Sequence, residues 1–187
     1  MNMSEGNINI AVLVGSLRAG SHNRALAELA AANAPEGVSL TIVEGLNDVP
    51  FYNEDIDTAD AIPAAAAALR DAGVAADAFL FVTPEYNGTM SAVLKNAIDW
   101  LSRPYGAGAL SGKPAGVIGA ALGQYAGTWS RQDTRKSIGI AGANVVEAVE
   151  IGIGTGALGD EGVATAETIE QLVEVVRVLT AEVAVAA

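Results

Sequence analysis

Apolar positions in this chain gather into five short runs separated by stretches of longer period. Ile8 to Val14, Ala78 to Val82 and Ala115 to Leu122 are almost unbroken, the pattern of strands covered on both faces. Val38 to Glu44 alternates instead, and Val145 to Ile151 is interrupted by Glu147 and Glu150. Both read as half-covered strands, and charges of this kind belong at the edges of a sheet.

The intervening stretches carry helical spacing. After a polar turn at residues 15–23, Leu26, Leu29 and Ala30 fall on one face. The alanine-rich "IPAAAAALRDAG" has Pro63 near its start and Gly73 near its end, and Ser91 is placed to cap a helix through Leu94, Ala97, Ile98 and Leu101. A further helix is expected over Thr128 to Ala141. A last one follows Thr165, with a stripe of Ile169, Leu172, Val173 and Val176. The glycine-rich stretches "YGAGALSG" and "IGIGTGALGDEG" read as surface loops.

Strand and helix alternate strictly, which implies a parallel sheet with helices on both faces. Edge character in the second and fifth strands selects the order 2-1-3-4-5. That is the flavodoxin-like three-layer α/β arrangement, whose ligands bind at the crevice between strands one and three. Residues 1–187 are read as a single domain.

Composition then removes alternatives. The chain has no cysteine and one histidine, so disulfides, thiolate chemistry and multi-histidine metal sites are out. No leader pattern or membrane-spanning run is expected, and the reading is a cytoplasmic protein with no membrane partner. Ten Lys and Arg against 22 Asp and Glu leave a net charge of -12, which argues against nucleic acid. Most of the mid-chain cations (Lys95, Arg103, Lys113, Arg131, Arg135, Lys136) read as solvated surface. An anionic ligand would have to approach against the overall field and be held by local donors.

Such donors crowd the turn "GSLRAGSHN", between the first strand and its helix. A helix N-terminus presents free N–H groups and the positive end of the dipole, which suits phosphate. Ser16, Ser21 and Asn23 add neutral donors, Arg18 a planar charged one, and His22 a backbone contact. Gly15 and Gly20 would let the backbone curl around the anion, and Arg24 should point away. After the third strand, Pro84 and Gly88 bracket a tight turn that would hold Glu85, Tyr86 and Asn87 at the crevice, with edges suited to a flat heteroaromatic ring.

Taken together, G-S-L-R-x-G-S-x-N and, about sixty residues later, T-P-E-Y-N-G followed by L-K-N-A-I-D-W resemble the NADPH-dependent FMN reductase family. Weaker similarity runs through "PFYNEDI" and "GKPAGVIGA". The resemblance implies an FMN-dependent NAD(P)H oxidoreductase serving a quinone or similar small acceptor. Hydride would pass from NADPH or NADH to the flavin and on to the acceptor, with no catalytic side chain required. It places the FMN phosphate on Ser16, Arg18, Ser21, His22 and Asn23, and the ring beside Pro84, Glu85, Tyr86, Asn87 and Gly88. It also implies a homodimer or homotetramer. Relatives often carry a hydroxyl at the end of the fourth strand, where this chain has Ala120 and Ala121. Backbone near Leu122 to Tyr125 and the side chain of Gln124 are the contacts expected from that loop. Two other functions fit the same fold: a flavodoxin-type electron carrier without its own NAD(P)H activity, and a flavin-free binding protein.

Overall fold

The computed structural model describes residues 7–186. Five parallel strands, β1 (Ile8–Val14), β2 (Val38–Ile42), β3 (Ala78–Val82), β4 (Pro114–Ala121) and β5 (Asn144–Gly154), form one sheet in the order β2-β1-β3-β4-β5. The five helices are α1 (His22–Ala32), α2 (Ala64–Ala75), α3 (Ala92–Leu101), α4 (Thr128–Ile140) and α5 (Ala166–Ala186). The architecture is the flavodoxin-like one expected from the pattern of runs.

Period-two alternation along the central strands feeds two cores. Ala11, Leu13, Phe79, Phe81, Ala115 and Val117 face α2, α3 and α4, where Leu69, Leu94, Trp100 and Ile138 meet them. Ile10, Val12, Val14, Leu80, Val82 and Ile118 face α1 and α5, packing on Leu26, Leu172, Val176 and Leu179. β1 and β3 are buried nearly throughout, whereas β2 keeps mixed exposure, as expected of an edge.

Two sequence expectations need correction, and one residue has a further role. The buried stripe of α5 runs through Thr168, Leu172, Val175, Val176 and Leu179, and Val173 is exposed. Gly73 lies near the end of α2, as expected. It lies inside the helix, where a Cβ would come within 2.7 Å of Leu101 Cδ2, so its role is close packing against α3. The stretch "IGIG" is not loop but the last turn-free part of β5, which continues to Gly154. β5 reaches that far past a bulge: it advances from Val145 to Glu150 while β4 advances only from Ala115 to Val117. Val149 of the bulge fills the space left by Gly116, where a Cβ would fall 2.5 Å from its Cγ1.

A strap over residues 49–57 binds the sheet's C-terminal end to α2 and α3. The Asn96 side chain accepts from Tyr52 N (2.8 Å) and donates to Val49 O and Pro50 O (3.2 and 3.0 Å). Trp100 Nε1 donates to Pro50 O at 2.8 Å. Arg70 makes a two-pronged ion pair with Asp57 at 2.6 and 2.7 Å, and its guanidinium stacks 5.2 Å from the Trp100 ring centre. Two parts of the family resemblance, "PFYNEDI" and "LKNAIDW", are therefore one physical unit.

Candidate active site

The C-terminal ends of β1, β3 and β4 converge on the N-terminus of α1. Gly15 keeps β1 beside β3, donating to Val82 O at 2.9 Å. A Cβ on Gly15 would stand 2.7 Å from Ser91 Oγ and 2.9 Å from Pro84 Cδ, so the close approach of the two loops requires glycine. Gly20 is different from expectation. Its surroundings are open and its φ is not left-handed, so nothing there demands glycine.

Ser21 is the N-cap of α1, its Oγ accepting from Arg24 N at 3.2 Å. Asn23 is buried and braces the site. Its Nδ2 donates to Ala120 O at 2.9 Å and its Oδ1 accepts from Ala120 N at 2.8 Å. The amide thus ties α1 to the tip of β4, while its second Nδ2 hydrogen has no partner among the described residues. Arg24 turns outward as anticipated, held by Glu28 (2.8 Å) and Glu44 (2.5 Å), which holds the Glu44 carboxyl below its ordinary range. Arg18 is exposed and, in this acidic chain, pairs with no carboxylate among the described residues.

The second loop is tighter than the sequence implied. Tyr86 and Thr89 exchange both backbone hydrogen bonds (3.0 and 3.1 Å) around Asn87 and Gly88, whose φ values are 52° and 75°. Two successive left-handed residues define a type I′ turn, which is why Asn-Gly stands at its centre. The turn is therefore centred on Asn87–Gly88, not bracketed by Pro84 and Gly88. Glu85 Oε2 accepts from Ser130 N at 3.1 Å and so caps the first turn of α4.

A cavity of about 200 Å³ opens between these loops. Its wall brings together Ser16, Arg18, Ser21, His22 and Asn23 with Pro84, Glu85 and Tyr86. Ala120, Ala121 and Leu122 contribute the β4 side, and Thr155 closes it from beyond β5. Asn87, Gly88 and Gln124 do not line it, and the Gln124 side chain is exposed. Thr155 was hidden from sequence reasoning inside the glycine-rich stretch taken for loop.

Behind the third loop lie two arginines that are not solvated surface. Arg131 is 5% exposed. It donates to Ala126 O and stands 3.8 Å from Glu150, and its Nε has no partner. Burial lowers its pKa, an effect opposed by Glu150 and Glu85 and reinforced by Arg135. Arg135 donates to Val149 O at 2.7 Å and to Glu150 at 3.2 Å. Room for Arg131 comes from Gly152, where a Cβ would fall 2.6 Å from its Nη2. This guanidinium holds a carbonyl that sits between two left-handed residues, Ala126 (φ 48°) and Gly127 (φ 76°).

A parallel sheet in this order, with phosphate-type donors at the β1–α1 turn and a tight ring-edge turn after β3, defines the flavodoxin-like nucleotide-binding class. Within that class the sequence profile described as NADPH-dependent FMN reductase matches residues 8–157, and the chain belongs to that family. It is thus an oxidoreductase that works with FMN and a nicotinamide nucleotide. A quinone reductase of Pseudomonas putida is 46% identical over 130 residues, covering 70% of this chain and 69% of that protein. An NAD(P)H-dependent FMN reductase of Pseudomonas aeruginosa is 41% identical over 132 residues, covering 71% and 70%. Among solved structures, the flavoenzyme FerB, an NAD(P)H:(acceptor) oxidoreductase from Paracoccus denitrificans, superposes with a TM-score of 0.82. It is 30% identical, over 95% of this chain and 97% of that one.

Proposed function

We propose that this chain oxidises NADPH or NADH and delivers two electrons through FMN to a quinone or a similar small acceptor. The observation that carries the reading is Arg18, a cation with no carboxylate partner among the described residues, standing in one cavity with Ser16, Ser21 and the free N–H groups of α1. That donor set suits a phosphate dianion, and FMN fits it. When bound, FMN supplies the redox chemistry, accepting hydride from the nicotinamide and passing electrons to the acceptor.

The protein's part is to bind, orient and insulate. Ser16, Arg18, the backbone of His22 and the α1 terminus hold the phosphate, with Ser21 and Asn23 shaping the turn. Pro84, Glu85 and Tyr86 border the ring. The Asn87–Gly88 turn sets their direction, and Glu85 is anchored on α4. No side chain needs to act as acid, base or nucleophile. Exposed Tyr86, Tyr125 and Trp129 rise beside this rim, and the last two lie 5.3 Å apart, centre to centre. They support a homodimer or homotetramer in which a neighbouring copy covers the site. No helix among the described residues is long and apolar enough to cross a membrane.

Reconstitution tests the reading. One FMN should bind per chain, anaerobic NADPH or NADH should bleach the flavin's visible band, and a quinone should restore it with ping-pong kinetics. A flavin that binds but resists bleaching by both nucleotides would make the protein an electron carrier instead.

A further inference from the structure

The end of β4 offers the cavity no hydroxyl: Ala120, Ala121 and Leu122 present only backbone and carbon. The one polar side chain on that flank comes from the turn after β5. We propose that Thr155 is a phosphate-binding residue, supplying from just beyond β5 the hydroxyl that β4 lacks. The proposal rests on the phosphate reading of the β1–α1 turn and extends it to a fourth segment of chain.

The register of β5 on β4 places Thr155 there. Gly154 pairs with Ala121, so Thr155 stands one step beyond the last paired residue, level with the third loop. Along β5, Val149, Ile151 and Ile153 face the core shared with α1 and α5. Thr155 opens the short 3-10 turn that follows β5 and lines the same cavity as Ser16. Both residues therefore border the space onto which Ser21, His22 and Asn23 bring the N-terminus of α1.

The segment is also fixed. Gly152 is seated on Arg131, and a Cβ on Gly156 would meet Leu122 O at 3.2 Å, so the chain passes closely over the third loop on either side of Thr155. The Thr155 hydroxyl takes part in no hydrogen bond among the described residues, which leaves it free for a ligand. Need matches supply. The cavity wall contains one arginine and one carboxylate, Glu85, whose Oε2 is engaged at 3.1 Å by Ser130 N. Asn23 has its oxygen and one of its two N–H groups engaged by Ala120. A dianion in a chain of net charge -12 draws on every remaining donor.

The test is binding, independent of turnover. Full-length chain freed of flavin is titrated with FMN and with riboflavin, using wild type, Thr155→Val and Thr155→Ser, with thermal unfolding as a check on the fold. A hydrogen bond to a charged acceptor predicts FMN affinity about tenfold weaker in Thr155→Val and restored to near wild type in Thr155→Ser. Riboflavin affinity should be the same in all three. Unchanged FMN affinity in Thr155→Val overturns the proposal, as does an equal loss for riboflavin, which would put the hydroxyl on the ring or ribityl chain. Failure of the underlying reading looks different: wild type would then bind FMN and riboflavin equally well.

Discussion

Arg18 and Arg24 lie six residues apart, one in the polar turn and one in the first turn of α1, and their surroundings differ. Arg24 spends its charge on Glu28 and Glu44, which also raises its own pKa further above the ordinary arginine value. Arg18 stands in the cavity wall with no such partner among the described residues. Arg18→Ala should therefore weaken FMN binding by about 1.5–3 kcal/mol, roughly 10–150-fold, while Arg24→Ala leaves it within about twofold. Flavin fluorescence titration separates the two, and equal effects would mean the phosphate lies elsewhere. Asp57 offers a second residue-scale test. Arg70 holds its carboxyl below the ordinary range, and the side chains are only 12% and 19% exposed. A depressed folded pKa contributes stability above the unfolded value of about 3.9, and that stability fades as pH falls through the folded value. Asp57→Asn should cost about 2–3 kcal/mol at neutral pH. It should also flatten the wild-type loss of stability in acid. Denaturant unfolding at pH 7 and pH 3 checks both parts.

At the scale of elements, legibility depended on whether a segment's role was local. β1 and β3 declared themselves as almost unbroken apolar runs, and their observed limits match the runs residue for residue. Ser91 proved to be a cap because capping needs only a neighbour three residues on. β5 was harder. Its far half is glycine alternating with isoleucine, and only the long-range pairing with β4 makes it a strand. The arginines of α4 misled for a related reason. Charge reads as solvent exposure unless the partners are known, and theirs (Ala126 O, Val149 O, Glu150) come from other elements. Thr155 followed β5 into the blind spot. The α4–β5 contact makes its own prediction. Gly152→Ala should displace the Arg131 guanidinium and destabilise the fold by about 1–3 kcal/mol, with the third loop loosened. Thermal unfolding reads the first effect, and faster amide exchange at residues 122–127 reads the second. A variant as stable as wild type would show that Arg131 is not tightly seated.

Across the whole molecule, charge and chemistry pull against each other. A net charge of -12 repels the anionic nicotinamide nucleotide that the reaction consumes, and in the proposed site Arg18 would be occupied by the FMN phosphate. Raising ionic strength from about 10 to 150 mM shortens the screening length from about 30 to 8 Å and relieves that repulsion. kcat/KM should therefore rise with salt, and more steeply for NADPH, which carries an extra phosphate, than for NADH. A fall with salt would mean that local positive groups near the rim govern the approach.

The double hydrogen bond between Asn23 and Ala120 bears on how the empty protein behaves. Because one side chain satisfies both backbone groups at the tip of β4, the cradle is assembled during folding, not by the ligand. The conformational entropy of ordering that corner is then absent from the binding equilibrium. Loading with FMN should accordingly sharpen the site little. The Ala120 amide should already resist hydrogen exchange in the flavin-free protein, nearly as well as in the loaded one, and Asn23→Ala should abolish that early protection.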